Sequence, residues 1–267
     1  MSKRDERYKR IILNRLETCK SYNPKFGTGS AVTLDEFKEM HGEDPLYGWF
    51  GLDNPMLYAA HKAAGGITSV YRQIGLGCEE VFQRVLRDEL GLSEEEVNWS
   101  YEVTTSGGRQ RTLSLDGRIE YDHIPDKEDR FRIESWVDEY ATKLDVAPKI
   151  KGALDGAVFE VRQGYKSKDS KRQNADLSNI TSAYSKGYLP VFTLLSRQVD
   201  GDVVARYKAS NCPVLIGTTG TSPFRSTYAF CKEIVGYDLA GFFERNKEEL
   251  SQTVTEILEF LLTPTDD

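Results

Sequence analysis

No apolar run in this sequence reaches membrane-spanning length, and its first residues, MSKRDERYKR, lack the apolar stretch of an export signal. A membrane partner is therefore not expected, and a soluble intracellular protein is. Cysteine is sparse: Cys19, Cys78, Cys212 and Cys231 are scattered, with no C-x-x-C pair. That speaks against a zinc knuckle or a disulfide framework and fits buried thiols in a reducing compartment. Histidine is sparser still, and His41, His61 and His123 are far apart. They read as surface or capping residues. Internal repeats and low-complexity tracts are missing too, which leaves solenoids and disordered arrays aside.

What is present suffices for a core. Hydrophobic residues make up 39% of the 267 and aromatics 11%, so global disorder is not expected. The length suits one large domain or two small ones. The formal net charge of −7 argues at first against a nucleic-acid partner. Whole-chain charge, however, governs solubility and steering, whereas binding depends on a local patch.

The first part of the chain reads as helix. Tyr8, Ile11, Ile12 and Leu16 recur at helical spacing, and Thr33 with Glu36 forms a capping box. The Gly-, Pro- and Asp-rich GEDPLYGWFGLDNP is a loop. Helical periodicity returns from Pro55 to about Leu90, with breaks expected at Gly65-Gly66 and at Gly75 to Gly77. The rhythm then changes to strands at 97–103 and 111–121 with a turn at SGG (106–108). A helix near 134–144, a strand from 156, a helix at 171–185 and the strand YLPVFTLLS (188–196) follow. DVVARYKAS is a short helix, CPVLIGT a strand, and Thr227 to Leu262 a helical tail. The expected class is α/β, a mixed central sheet flanked by helices, with a helical region over 1–75 and the sheet-bearing core with its helical tail over 76–267.

The stretch LDGAVFEVRQGYKSKDSKRQNADLSNI (154–180) concentrates the chemistry. Strand alternation puts Ala157, Phe159, Val161 and Tyr165 on one face and Glu160, Arg162 and Lys166 on the other. In RTLSLDGRIEY (111–121), Asp116 takes the polar face with Ser114, Arg118 and Glu120. If the two strands are neighbours, Asp116 and Glu160 converge. Two carboxylates on one face repel, and a hard divalent cation such as Mg²⁺ relieves them while binding phosphate oxygens. Arg162, Lys166, Lys168, Lys171 and Arg172 stand against Asp169 alone, and a helix begins directly afterwards with Ser170 and Gln173 as a capping box. Cations beside a helix N-terminus form a phosphate site. Taken singly, each feature has a plainer reading: Glu160 salt-bridged to Arg162 or Lys166, Asp116 as part of an L-D-G turn, the lysines as a solvated charge run. Together they point to phosphodiester cleavage.

LDGRIEY, followed by FEVRQGYKSK, a helix QNADLSNITSAY and a strand YLPVFTLLS, resembles the core of the PD-(D/E)XK nucleases over about residues 75–196. The wording EVRQGYKSKDSKRQNAD, with the tail STYAFCKEIVGYDLAGFFER, is further similar to type II restriction endonucleases of the ApaLI-like group. The resemblance implies an αβββαβ core and a Mg²⁺-dependent endonuclease in which a metal-activated water attacks phosphorus. It also implies a prokaryotic cytoplasmic restriction-modification enzyme acting on double-stranded DNA as a homodimer. Asp116 and Glu160 become the metal ligands, with Asp155 and Glu80 as alternatives and Glu79 or Glu80 as a third acid from the first helix of the core. Arg162 and Lys166 would stabilise developing charge; read from the residues themselves, Lys168, Lys171 and Arg172 would contact DNA, and the Ser/Thr-rich GTTGTS loop is either an ordinary surface turn or a DNA contact from which Arg225 reads guanine in the major groove. Three departures matter. Leu115 replaces the motif's proline, residues 122–150 form an insertion between the acid-bearing strands, and Arg162 occupies the place of the motif's lysine, where it cannot act as a base. Rival readings are a repair or modification-dependent nuclease on the same core and a DNA-binding protein that has lost cleavage. A phosphate-binding metabolic enzyme is a third, although GTTGTS lacks the lysine of a P-loop.

Overall fold

The computed structural model describes residues 2–104, 110–165 and 170–265. In chain order these form α1 (Lys3–Glu17), α2 (Leu34–Gly42), α3 (Pro45–Trp49), α4 (Pro55–Leu90), α5 (Glu94–Val97), β1 (Trp99–Thr104), β2 (Gln110–Leu115) and β3 (Gly117–Glu120). There follow α6 (Lys127–Lys143), α7 (Pro148–Lys151), β4 (Gly156–Arg162), α8 (Ser170–Ser185), β5 (Tyr188–Leu194), α9 (Gly201–Ala209) and β6 (Val214–Leu215). The last two helices are α10 (Thr227–Ala229) and α11 (Leu239–Leu262). The chain divides into two compact units, Met1–Gly77 with Glu244–Asp267, and Cys78–Phe243. The segment from Glu244 groups with the N-terminal helices. Among the described residues no helix is long and apolar enough to cross a membrane. The SGG turn expected at 106–108 lies outside the described residues, as do Lys166 and Lys168.

The first unit is helical. α1 buries Tyr8, Ile12 and Leu16, the spacing its sequence foretells. It is tied to the C-terminal helix by Lys9 to Glu249 at 2.6 Å and Arg245 to Asp5 at 2.8 Å. Thr33 and Glu36 form the expected capping box at the start of α2. α4, however, does not break at its glycines and runs unbroken for 36 residues. The glycines are places of close approach. A Cβ on Gly65 would lie 1.8 Å from the Tyr22 hydroxyl, and one on Gly66 would lie 2.3 Å from Leu261. The ~1 kcal/mol that each glycine costs a helix is offset by what packs there.

The second unit is mixed α/β. Its main sheet has the order β3-β4-β5-β6, with β3 antiparallel to β4 and the β4-β5 and β5-β6 pairs parallel. β5 is buried along its whole length, as befits a central parallel strand covered on both faces. Pro190 is tolerated inside it because its missing N–H would point to the β6 side. The pairing with β6 begins only at Phe192, whose N–H donates to Pro213 O at 2.8 Å. One face of β4 carries Ala157, Phe159 and Val161, with the Phe159 ring between Phe82 of α4 and Phe230 at 5.4 and 5.5 Å. On the other face Val158 packs with Trp99, Tyr101 and Leu115 of the hairpin, Tyr188 of β5 and Ala183 of α8.

Three expectations are corrected here. The segment 111–121 is not one strand. β2 pairs with β1 in a separate two-stranded sheet, β3 belongs to the main sheet, and Asp116 is the break between them. The CPVLIGT strand shrinks to Val214–Leu215. The helical tail is interrupted at Phe230–Val235, a wide π turn closed by Gly236 at φ 107°. Arg132 Nε donates to the Ile234 carbonyl at 2.7 Å and so satisfies a group that this wide turn exposes. The insertion between β3 and β4 proves to have a use. From α6, Trp136 Nε1 donates to Pro223 O at 3.1 Å and the Tyr140 hydroxyl to Phe224 O at 2.6 Å, fastening the loop that carries Arg225.

Gly156 opens β4 opposite Glu120, and a Cβ there would stand 2.0 Å from the Ile119 carbonyl oxygen. Gly156→Ala should therefore push β3 off β4 and cost at least ~1–3 kcal/mol, read as a lowered urea midpoint with circular dichroism. An unchanged midpoint would refute the close packing of the two strands.

Candidate active site

The register that pairs Gly117 with Phe159 sets Asp116 beside Glu160. Asp116 N donates to Phe159 O at 2.8 Å as a last ladder bond. The chain then leaves the sheet, and Val161 N, next along β4, finds the Asp116 carboxylate oxygen Oδ2 at 2.7 Å instead of a main-chain carbonyl. Asp116 thus terminates the β3–β4 ladder with its own side chain. α4 approaches the same point, where Gln83 Nε2 donates to Asp116 O at 2.7 Å. Glu79, one turn earlier on that face of α4, adds its charge. Burial, then Glu160, then Glu79, push the Asp116 carboxyl up to about 8, against the opposing Val161 N–H bond and Arg162. Three acids from three elements, Asp116, Glu160 and Glu79, therefore share one neighbourhood.

Glu160 is held from its other side. Arg162 Nε and Nη2 both donate to Glu160 Oε1, at 2.9 and 2.7 Å. Nη2 also reaches Asp176 Oδ1 on α8 at 2.8 Å. Asp176 Oδ2 accepts from the hydroxyls of Tyr207 at 2.6 Å and Tyr165 at 3.2 Å. The guanidinium lies 4.8 and 5.1 Å from the ring centroids of Tyr165 and Phe192. Exposure falls from 20% at Glu160 to 10% at Arg162 and 7% at Asp176, so the chain of charges runs inward. Burial works against the Arg162 charge, but Glu160 and Asp176 outweigh it and keep the group above its ordinary range. Nη1 is buried with no hydrogen-bond partner among the described residues. A cavity of about 20 Å³, room for one water, opens between Glu160, Asp176 and Asn179.

The other residues named from the sequence are dispersed. Asp155 is exposed at the opposite end of β4, five residues or ~17 Å of extended chain from Glu160. Its main chain is bonded to Tyr121 and Gly187. Glu80 is next to Glu79 on α4. Arg225 is exposed in the loop after β6. Lys171 and Arg172 belong to the first turn of α8. Sequence reading passed over Asp176. Its signal was phase: Gln173, Asp176, Ile180 and Ala183 recur at helical spacing and are all buried, so a carboxylate stands on the inward face of α8.

Asp116, Glu160 and Glu79 fit a hard divalent cation in donor chemistry, since all are carboxylates, and burial followed by the charges of Glu160 and Glu79 disfavours the ionised form of Asp116. Geometrically, no three His, Cys, Asp or Glu side chains among the described residues form a ready-made shell. Asp116 Oδ2 is spent on Val161 and Glu160 Oε1 on Arg162.

The raised carboxyl of Asp116 has a consequence for stability. A carboxylate whose folded value lies above its unfolded value binds more protons when folded, so stability falls as pH rises from about 4 to about 8 and is flat beyond. Asp116→Asn keeps an acceptor for Val161 N–H and removes the charge. It should match the parent near pH 4 and exceed it at pH 8 by on the order of a few kcal/mol, measured by urea unfolding without divalent ions. Equal stabilities at pH 8 would contradict the crowding of acids at this point.

Compared with models of protein families, with curated proteins and with solved structures, the chain matches none.

Proposed function

We propose that this chain is a Mg²⁺-dependent type II restriction endonuclease, cutting double-stranded DNA at a short sequence. The observation that carries the reading is the pairing of Asp116 with Glu160 at the β2–β3 break, with Glu79 of α4 near enough for its charge to act on Asp116. These three carboxylates would hold the cation. Bound there, Mg²⁺ would polarise the scissile phosphate and acidify a water. The chain's own part is to fix the acids. The Val161 N–H orients Asp116, and Arg162 restrains Glu160. Arg162 stays cationic and so is no base. Its charge, held beside Glu160, adds to the positive potential that a phosphate meets at this point. Lys166 would stabilise the developing charge, Lys168, Lys171 and Arg172 would contact the DNA backbone, and Arg225 would read guanine in the major groove. The words "restriction" and "homodimer" rest on the resemblance of EVRQGYKSKDSKRQNAD to that enzyme class, and a two-fold dimer suits a palindromic site.

A second reading has one observation in its favour. With Glu160 bound by Arg162 and no ready-made shell, a DNA-binding protein without cleavage would look like this. Plasmid DNA with Mg²⁺ separates the two. Discrete fragments, lost on chelation, support the endonuclease; retardation in a gel without cutting supports the binder.

In the endonuclease, Glu160→Ala should lower cutting by more than the ~10–100-fold that loss of an outer-shell partner costs, with DNA binding kept by gel shift. Full cutting by that variant would remove Glu160 from the site.

A further inference from the structure

We infer that Asp176 is a positioning residue for the carboxylate site, acting through Arg162 to fix where Glu160 stands. The inference rests on the proposed metal-dependent reading and adds to it a residue that no strand motif contains.

Glu160 and Arg162 are two residues apart on one face of β4, so an arginine is long enough to fold back onto the glutamate. Alone, such a pair on a strand is loose, because both side chains retain several rotatable bonds. Here the arginine has no freedom. Its Nη2 bridges Glu160 Oε1 and Asp176 Oδ1 at 2.7 and 2.8 Å, and the Tyr165 and Phe192 rings flank the guanidinium. Asp176 is fixed in turn by two tyrosine hydroxyls, one from the bridge residue after β4 and one from α9. Four elements thus converge to hold one glutamate oxygen. Stability alone does not ask for this, since replacing a buried ion pair by apolar groups is often neutral or favourable. The geometry has a direction as well. It restrains Glu160 on the Arg162 side and leaves its charge acting on Asp116. A ligand carboxylate is useful only if it is held to within a fraction of an ångström, and this chain of contacts supplies the restraint.

The test compares the full-length parent with Asp176→Asn, Arg162→Lys and the double variant. Two readouts are used: Mn²⁺ binding followed by electron paramagnetic resonance without DNA, and Mg²⁺-dependent plasmid cutting. Asp176→Asn keeps the shape and acceptor but removes the charge. It should weaken Mn²⁺ binding ~10–100-fold and raise the Mg²⁺ concentration for half-maximal cutting by a similar factor, with DNA retardation unchanged. Arg162→Lys should do the same, and the double variant should be no worse than the poorer single one, because both break one chain of contacts. Tyr207→Phe, which removes only one hydroxyl, should weaken Mn²⁺ binding severalfold, and it carries the test if Asp176→Asn does not fold. Variants that bind Mn²⁺ and cut like the parent overturn the role of Asp176 and leave the proposed function standing. A parent that neither binds Mn²⁺ nor cuts overturns both.

Discussion

A carboxylate in the middle of a buried strand is tolerated only where something answers its charge, and in this chain the answer is Arg162. Glu160 would otherwise face the apolar floor made by the hairpin, β5 and α8. The arginine answers the glutamate, Asp176 answers the arginine, and the tyrosines answer Asp176. Each partner is more deeply buried than the last. The sequence of contacts also ties β4 to α8 and α9 through polar groups, in a sheet whose other face is held by Phe82, Phe159 and Phe230. Breaking any member would leave a buried charge unanswered, which is more damaging than never having had the pair.

Asp116 is the opposite case, an acid with too little to answer it. The Val161 N–H and the Arg162 guanidinium favour its charge, while burial, Glu160 and Glu79 disfavour it. The contrast between the two carboxylates, one answered and one not, is the electrical asymmetry expected of groups with separate tasks.

Much of this could be read before any coordinates. β4 and β5 announce themselves by alternation and by an unbroken apolar run, and the pairing of Asp116 with Glu160 follows from the two strands being neighbours. The rest was hidden for definite reasons. Alternation continues through Leu113, Leu115 and Ile119, so the side-chain pattern gives no hint that the chain changes sheets at Asp116. The cause is a side chain standing in for a carbonyl. The glycines of α4 look like breaks because the rule about glycine is local, whereas Tyr22 and Leu261, which need the space, are remote in sequence. Asp176 looked like one more charge on a polar helix, because hydrophobicity patterns give an inward carboxylate no credit.

Pro190 has an effect beyond its own strand. The sheet is bounded on one side by Gly117–Glu120 and on the other by Val214–Leu215, and on that second side the proline withdraws the donor just where another strand would have to extend the ladder. Margins so brief make poor templates, so the edges of this sheet give a second copy little backbone to pair with. An association through this sheet would have to be built from side chains, which can be chosen one at a time for a particular mate.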